Sequence, residues 1–73
     1  MTRYYVGYLQ GNDEYVYVAG VDNSNVRVST ITEGAIGFDN IELAESLKNI
    51  AKSIVTNQDY VVLKITTEIE EVK

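Results

Sequence analysis

One stretch of this chain keeps the spacing of an α-helix, and nearly everything else keeps the alternation of strands. Leu43, Ala44, Leu47, Ile50, Ala51, Ile54 and Val55 recur at helical intervals, with Glu42, Glu45, Lys48, Asn49 and Lys52 on the other side. A single helix about 10 Å wide covers one face of a small sheet and no more. Whatever the strands bury on their second face needs another cover or stays against water. These limits point to an α+β fold, one antiparallel sheet carrying one helix. With 73 residues the chain makes one domain, residues 1–73. Its core is small.

The strands can be placed from composition. Thr2 to Gln10 and Glu14 to Val21 are rich in Tyr and Val. Between them, Gly11 and Asn12 suit the centre of a two-residue type II′ turn. That register pairs Tyr8 with Tyr15 and Val6 with Tyr17. Asp22-Asn23-Ser24-Asn25 is a second turn cluster, and Val26 to Thr32 reads as a third strand. Gly34 and Gly37 break the pattern, so Glu33 to Phe38 reads as a loop. Asp39 is the expected helix N-cap, with Glu42 completing a capping box and Phe38 and Leu43 forming a hydrophobic staple. Asn57 is the expected stop.

Tyr60 to Ile69 then reads as one final strand. Val61, Leu63, Ile65 and Ile69 share its buried face, while Tyr60, Val62, Lys64, Thr66 and Glu68 share a wet one. Glu70, Glu71 and Lys73 are expected to fray. The predicted order is β-β-β-α-β: a meander of three strands, one amphipathic helix, and a fourth strand. A right-handed crossover is expected to deliver that last strand. Parallel pairing beside the first strand would put it at or near an edge, and the strand order stays open.

The hairpin carries more apolar residues than one helix can cover. One face holds Tyr4, Val6, Tyr8, Tyr15, Tyr17 and Ala19; the other holds Arg3, Tyr5, Leu9, Glu14, Val16 and Val18. Arg3 and Glu14 favour water, so the helix is expected on the tyrosine-rich side. Tyr5, Leu9, Val16 and Val18 are then the interface candidates. A slip of one residue would exchange the faces. Exposed apolar patches on soluble domains mark interaction surfaces, and small domains gain stability by oligomerising. The expected partner is a second copy of the chain, giving a homo-oligomer such as a homodimer, or another protein. The bland alternative is a half-wet face on which Val and Tyr sit for their β propensity.

Composition removes most chemistry. The chain has no Cys, His, Pro or Trp, so it offers no disulfide, thiolate, Ser-His-Asp system or usual zinc site. Six Lys+Arg against eleven Asp+Glu give a net charge of -5, which disfavours nucleic acid as a direct partner. Tyrosines could stack bases, yet no basic stripe accompanies them; Lys48 and Lys52 share only a solvated helix face. The acids lie on the outer helix side (Glu42, Glu45) and in the tail (Glu68, Glu70, Glu71), not paired across a cleft. Asp22 and Glu33 have the end spacing of a calcium loop, but Val26 and Arg27 stand where an oxygen ligand and a Gly belong. Gly34-Ala35-Ile36-Gly37 is too short to cradle phosphate. No catalytic residue, cofactor or metal is predicted, and the chain is not read as an enzyme. The opening Met1-Thr2-Arg3-Tyr4-Tyr5-Val6-Gly7-Tyr8 lacks a signal-peptide pattern, and no apolar run is long enough to span a membrane. A cytoplasmic location is expected.

Two stretches carry a resemblance. Ala35-Ile36-Gly37-Phe38-Asp39-Asn40-Ile41-Glu42-Leu43-Ala44 and Tyr60-Val61-Val62-Leu63-Lys64-Ile65-Thr66-Thr67-Glu68-Ile69-Glu70-Glu71-Val72 resemble small uncharacterised proteins encoded by phages and prophages of Gram-positive bacteria. The resemblance implies a phage or prophage source and no particular activity. Among small acidic phage proteins are anti-host inhibitors of nucleases or defence complexes, some of which imitate DNA charge. That role is the alternative to a binding or accessory protein.

Overall fold

The computed structural model describes residues 2–11 and 13–72. Its elements run β1 (Arg3–Gln10), β2 (Glu14–Val21), β3 (Val26–Ser29), a 3₁₀ turn (Thr32–Gly34), α1 (Ile41–Ile54), β4 (Val61–Ile65) and β5 (Ile69–Val72). The strands form one sheet in the order β3-β2-β1-β4-β5, with every neighbouring pair antiparallel. The α+β class and the order β-β-β-α-β hold, with one strand added. The expected single strand from Tyr60 to Ile69 turns back at Thr66–Glu68, so Glu70 and Glu71 pair with Lys64 and Leu63 instead of fraying. Lys73 lies outside the described residues. Since β4 runs antiparallel beside β1, it also opposes β3. The helical connection is therefore not a parallel crossover, and the handedness rule does not apply to it.

The first hairpin differs from its expected register by one residue. Gln10 pairs with Glu14, Leu9 with Tyr15, Tyr8 with Val16 and Gly7 with Tyr17. Residues 11–13 make the connection, and Asp13 takes the left-handed conformation at φ 60°. Hairpins with a three-residue connection place such a residue last, and Asp tolerates it better than most. Gly11 keeps an ordinary negative φ, so it is not the turn's conformational anchor; Asn12 lies outside the described residues. This single step turns β2 over. Val16 and Val18 now share a face with Tyr4, Val6 and Tyr8, while Tyr15 and Tyr17 join Tyr5 and Leu9.

The helix packs mainly over β1 and β4, on the Tyr4, Val6 and Tyr8 side. Val6, Val18, Tyr60 and Val62 are buried there against Ala44, Leu47 and Ala51. Tyr8 and Tyr60 meet edge to face with ring centroids 5.6 Å apart. The two buried alanines let the helix come close to the sheet. Tyr60 and Val62 were expected on a wet face; both are buried because the helix returns over β4. A bulge between Val18 and Gly20 then shifts the alternation, so Val21 and Val26 also reach this core.

The second face builds its own small core. Tyr5, Tyr17 and Leu63 are buried together, with the two rings edge to face at 5.8 Å. Two devices seal it. First, the Tyr15 hydroxyl donates to Glu71 Oε2 at 2.7 Å, a bridge across this face. Those residues sit on β2 and β5, three strand spacings or roughly 14 Å apart in a flat sheet. Second, the segment before the helix enters the open end of the hairpin. Ile36 N–H donates to the Val18 carbonyl at 3.1 Å, while Phe38 and Tyr4 exchange backbone bonds of 2.8 and 2.7 Å. Residues 36–38 thus lie between the splayed ends of β1 and β2. Ala35 touches the second core, while Ile36 and Phe38 touch the first.

The helix start is one residue later than expected. Asn40, not Asp39, is the N-cap, and its Oδ1 accepts from Glu42 N–H at 2.7 Å. Asp39 instead faces Arg3 at 3.8 Å on the surface, and Arg3 also donates to the Gly37 carbonyl at 2.9 Å. Leu43, the expected staple partner of Phe38, is 54% exposed, while Phe38 packs on the first core. The helix ends at Ile54, three residues before the expected stop at Asn57, and Val55 N–H closes the last turn on the Ala51 carbonyl at 2.9 Å. Asn40→Ala should cost about 0.5–2 kcal/mol, while Asp39→Ala loses only an exposed ion pair worth about 0–1 kcal/mol. Urea titration of the two variants checks the order.

Candidate functional site

The four interface candidates do not form one surface. Val16 and Val18 are 3% and 0% exposed beneath the helix side, while Tyr5 is buried in the second core. Leu9 alone stays open, at 50%. The cause is the register step, which turns β2 over and carries Val16 and Val18 to the helix side.

The exposed apolar residues lie elsewhere. Leu43 and Ile50 are 54% and 47% exposed, and Val28 on β3 is 44% exposed. Ile31 and Ile69 are exposed as well. Leu43 and Ile50 are two helical turns apart and so share a flank. The buried line of Ala44, Leu47 and Ala51 sets where the helix meets the sheet. At 100° per residue, Leu43 and Ile50 point roughly 70–95° away from that line. The apolar stripe is wider than the contact. This signal was present in the sequence, because a stripe centred on two alanines leaves its larger members at one side.

The sheet also has two unlike edges. Edge β5 presents Glu70 and Glu71 beside Glu68. Edge β3 presents Val26, Arg27, Val28 and Ser29, with Arg27 and Val28 exposed. Arg27 is turned back toward its own strand pair, its guanidinium lying against Gly20 where no side chain obstructs it. The guanidinium also reaches Asp22 Oδ2 at 3.7 Å. Asp22 is occupied with its own turn: its Oδ1 accepts N–H bonds from Ser24 and Asn25 at 3.0 and 2.8 Å. Those bonds, with a smaller contribution from Arg27, hold its carboxyl below the usual range. The calcium-like spacing to Glu33 is therefore turn chemistry.

A concavity of about 360 Å³ opens near the C-terminal end of β1, lined by Tyr8, Leu9, Gln58, Asp59, Val61 and Glu71. Its ionisable acids are Asp59 and Glu71. Glu71 already accepts the Tyr15 hydroxyl, a bond that raises the Tyr15 pKa together with partial desolvation. Tyr17 and Tyr60 also ionise later than usual, chiefly because they are buried. The cavity holds no nucleophile–base pair. Among the described residues, no three acidic side chains come together as a metal site, and no helix is long and apolar enough to cross a membrane. No protein-family model matches the chain, and neither the curated proteins nor the solved structures contain a match.

Proposed function

We propose that this chain is a small acidic, non-enzymatic binding or accessory protein that associates with itself or with a protein partner. The observation that carries the reading is the exposure of Leu43, Ile50 and Val28 on a domain whose two cores are otherwise closed. Single exposed apolar residues are ordinary, but a half-exposed pair on one helix flank is not used by the fold.

A second reading has its own observation. Glu68, Glu70 and Glu71 crowd the β5 side, and Asp59 joins Glu71 at the cavity. Such a surface suits an inhibitor that engages a basic host nuclease or defence protein. Salt separates the two readings, because screening weakens an acidic interface and leaves an apolar one intact. Sedimentation velocity from about 10 μM upward should show reversible association that persists in 0.5 M salt. Replacing Val28, Leu43 and Ile50 together with Lys should keep the circular dichroism of the fold and abolish that association. A monomer at every concentration, with binding to a basic nuclease lost in salt, would transfer support to the inhibitor.

A further inference from the structure

We infer that the partner is a second copy of this chain, joined edge to edge through β3 into a continuous ten-stranded antiparallel sheet. The inference rests on the self-association reading above and specifies its surface. Sheet edges offer unpaired N–H and C=O groups, and proteins usually block them with charge, Pro or cover. Here the two edges differ in that respect. β5 carries Glu70 and Glu71, so a second copy brought to it would meet like charge. β3 carries Val26 and Val28, and its one charged side chain, 65% exposed, lies back against Gly20 and Asp22 on its own strand pair and not along the open edge.

The backbone of β3 supports the same surface. Val18 sends its carbonyl toward the β1 side, where Ile36 N–H takes it. Its partner Val28 is therefore in a non-hydrogen-bonded pair, and alternation turns the Val28 N–H and C=O outward. Arg27 and Ser29 are the residues that bond inward to β2. The Val28 side chain, 44% exposed, lies beside this open edge.

Charge selects the register. Pairing centred on Arg27 would set two guanidinium-bearing residues directly opposite one another, which is destabilising. Centring on Val28 places Val28 opposite the partner's Val28 and Arg27 opposite the partner's Ser29. It also extends the ladder from Val26 to Thr30. The net charge of -5 on each copy opposes association over long range. The contact is short, so the dimer is a weak, reversible one at the low end of interface sizes.

The test is hydrogen exchange resolved by residue, with sedimentation velocity up to about 1 mM. Arg27 and Ser29 amides should be protected at all concentrations, and the Val28 amide only as concentration rises. Val28→Pro removes a donor the monomer does not use, as edge prolines do, and should weaken association at least tenfold. Val28→Lys, which cannot strain the backbone, places two ammonium groups opposite one another and should do the same. Leu43→Lys with Ile50→Lys should leave the constant within about threefold. If that flank variant abolishes association while both Val28 variants preserve it, the β3 dimer is wrong and self-association stands. If the Val28 amide gains protection only when a different protein is added, the edge takes a foreign strand and the dimer is likewise wrong. A wild-type monomer at 1 mM would overturn both.

Discussion

Gly7→Val is expected to leave no folded protein at 25 °C, and Gly7→Ala to cost about 3 kcal/mol or more. Gly7 is the point where β1 is paired on both sides, to Tyr17 and to Val61. A Cβ placed there would overlap the Val16 carbonyl oxygen and stand 3.1 Å from Leu63 Cδ1. A side chain can rotate away, but a carbonyl inside a hairpin ladder cannot move alone. Relief would require the hairpin to straighten, which would separate Tyr5 from Tyr17 and reopen the second core. Thermal melts of the two variants check this, and an unchanged midpoint for Gly7→Ala would show that the close approach is absent.

Leu63→Ala should cost about 2–5 kcal/mol, against a total stability for small domains of about 5–15 kcal/mol. Leu63 is fully buried on the face that the helix does not cover. Its neighbours Tyr5 and Tyr17 are rigid rings seated edge to face, so the space left behind would not readily collapse. The same substitution at Leu43 should change stability by less than about 1 kcal/mol, since that side chain is half exposed and lies off the contact line. Denaturant titration of the two variants separates a second core from an open sheet face. Near-equal effects would mean that water reaches Leu63.

How far these features could be read from the sequence depended on whether neighbouring residues agreed. The helix was legible because seven apolar positions repeat one spacing. Its cap was less so: Asp39 and Asn40 are both good caps, and nothing local shows that Asp39 lies beside Arg3, 36 positions earlier, while Asn40 takes the cap. The hairpin was legible as a hairpin, but its register was not. Gly11-Asn12 suits a two-residue turn, and only Asp13's tolerance of a left-handed conformation admits the longer one. That step decided the faces of β2, and with them the candidate site. A rule preferring valines opposite the alanine-lined helix would have grouped Val6, Val16 and Val18 correctly. The β4–β5 turn gave almost no signal, because Thr66 and Thr67 are strand formers and no Gly, Asn or Pro marks the reversal. The wedge at residues 36–38 pairs with strands 18 and 34 positions earlier, as distances along the chain from Ile36 to Val18 and Phe38 to Tyr4 show.

That wedge sets the order in which the chain can become a protein. β1 is synthesised first, yet it is the strand with the most neighbours: β2, the wedge and β4 all close on it. A growing chain can make the hairpin early, but its open end stays unfilled until residue 38 arrives, and the other edge of β1 waits for residues 61–65. Long-range closure of this kind is slow compared with local pairing. Neither core is whole before β4 docks, because Val62 completes one and Leu63 the other, so neither half of the sequence can bury a complete core alone.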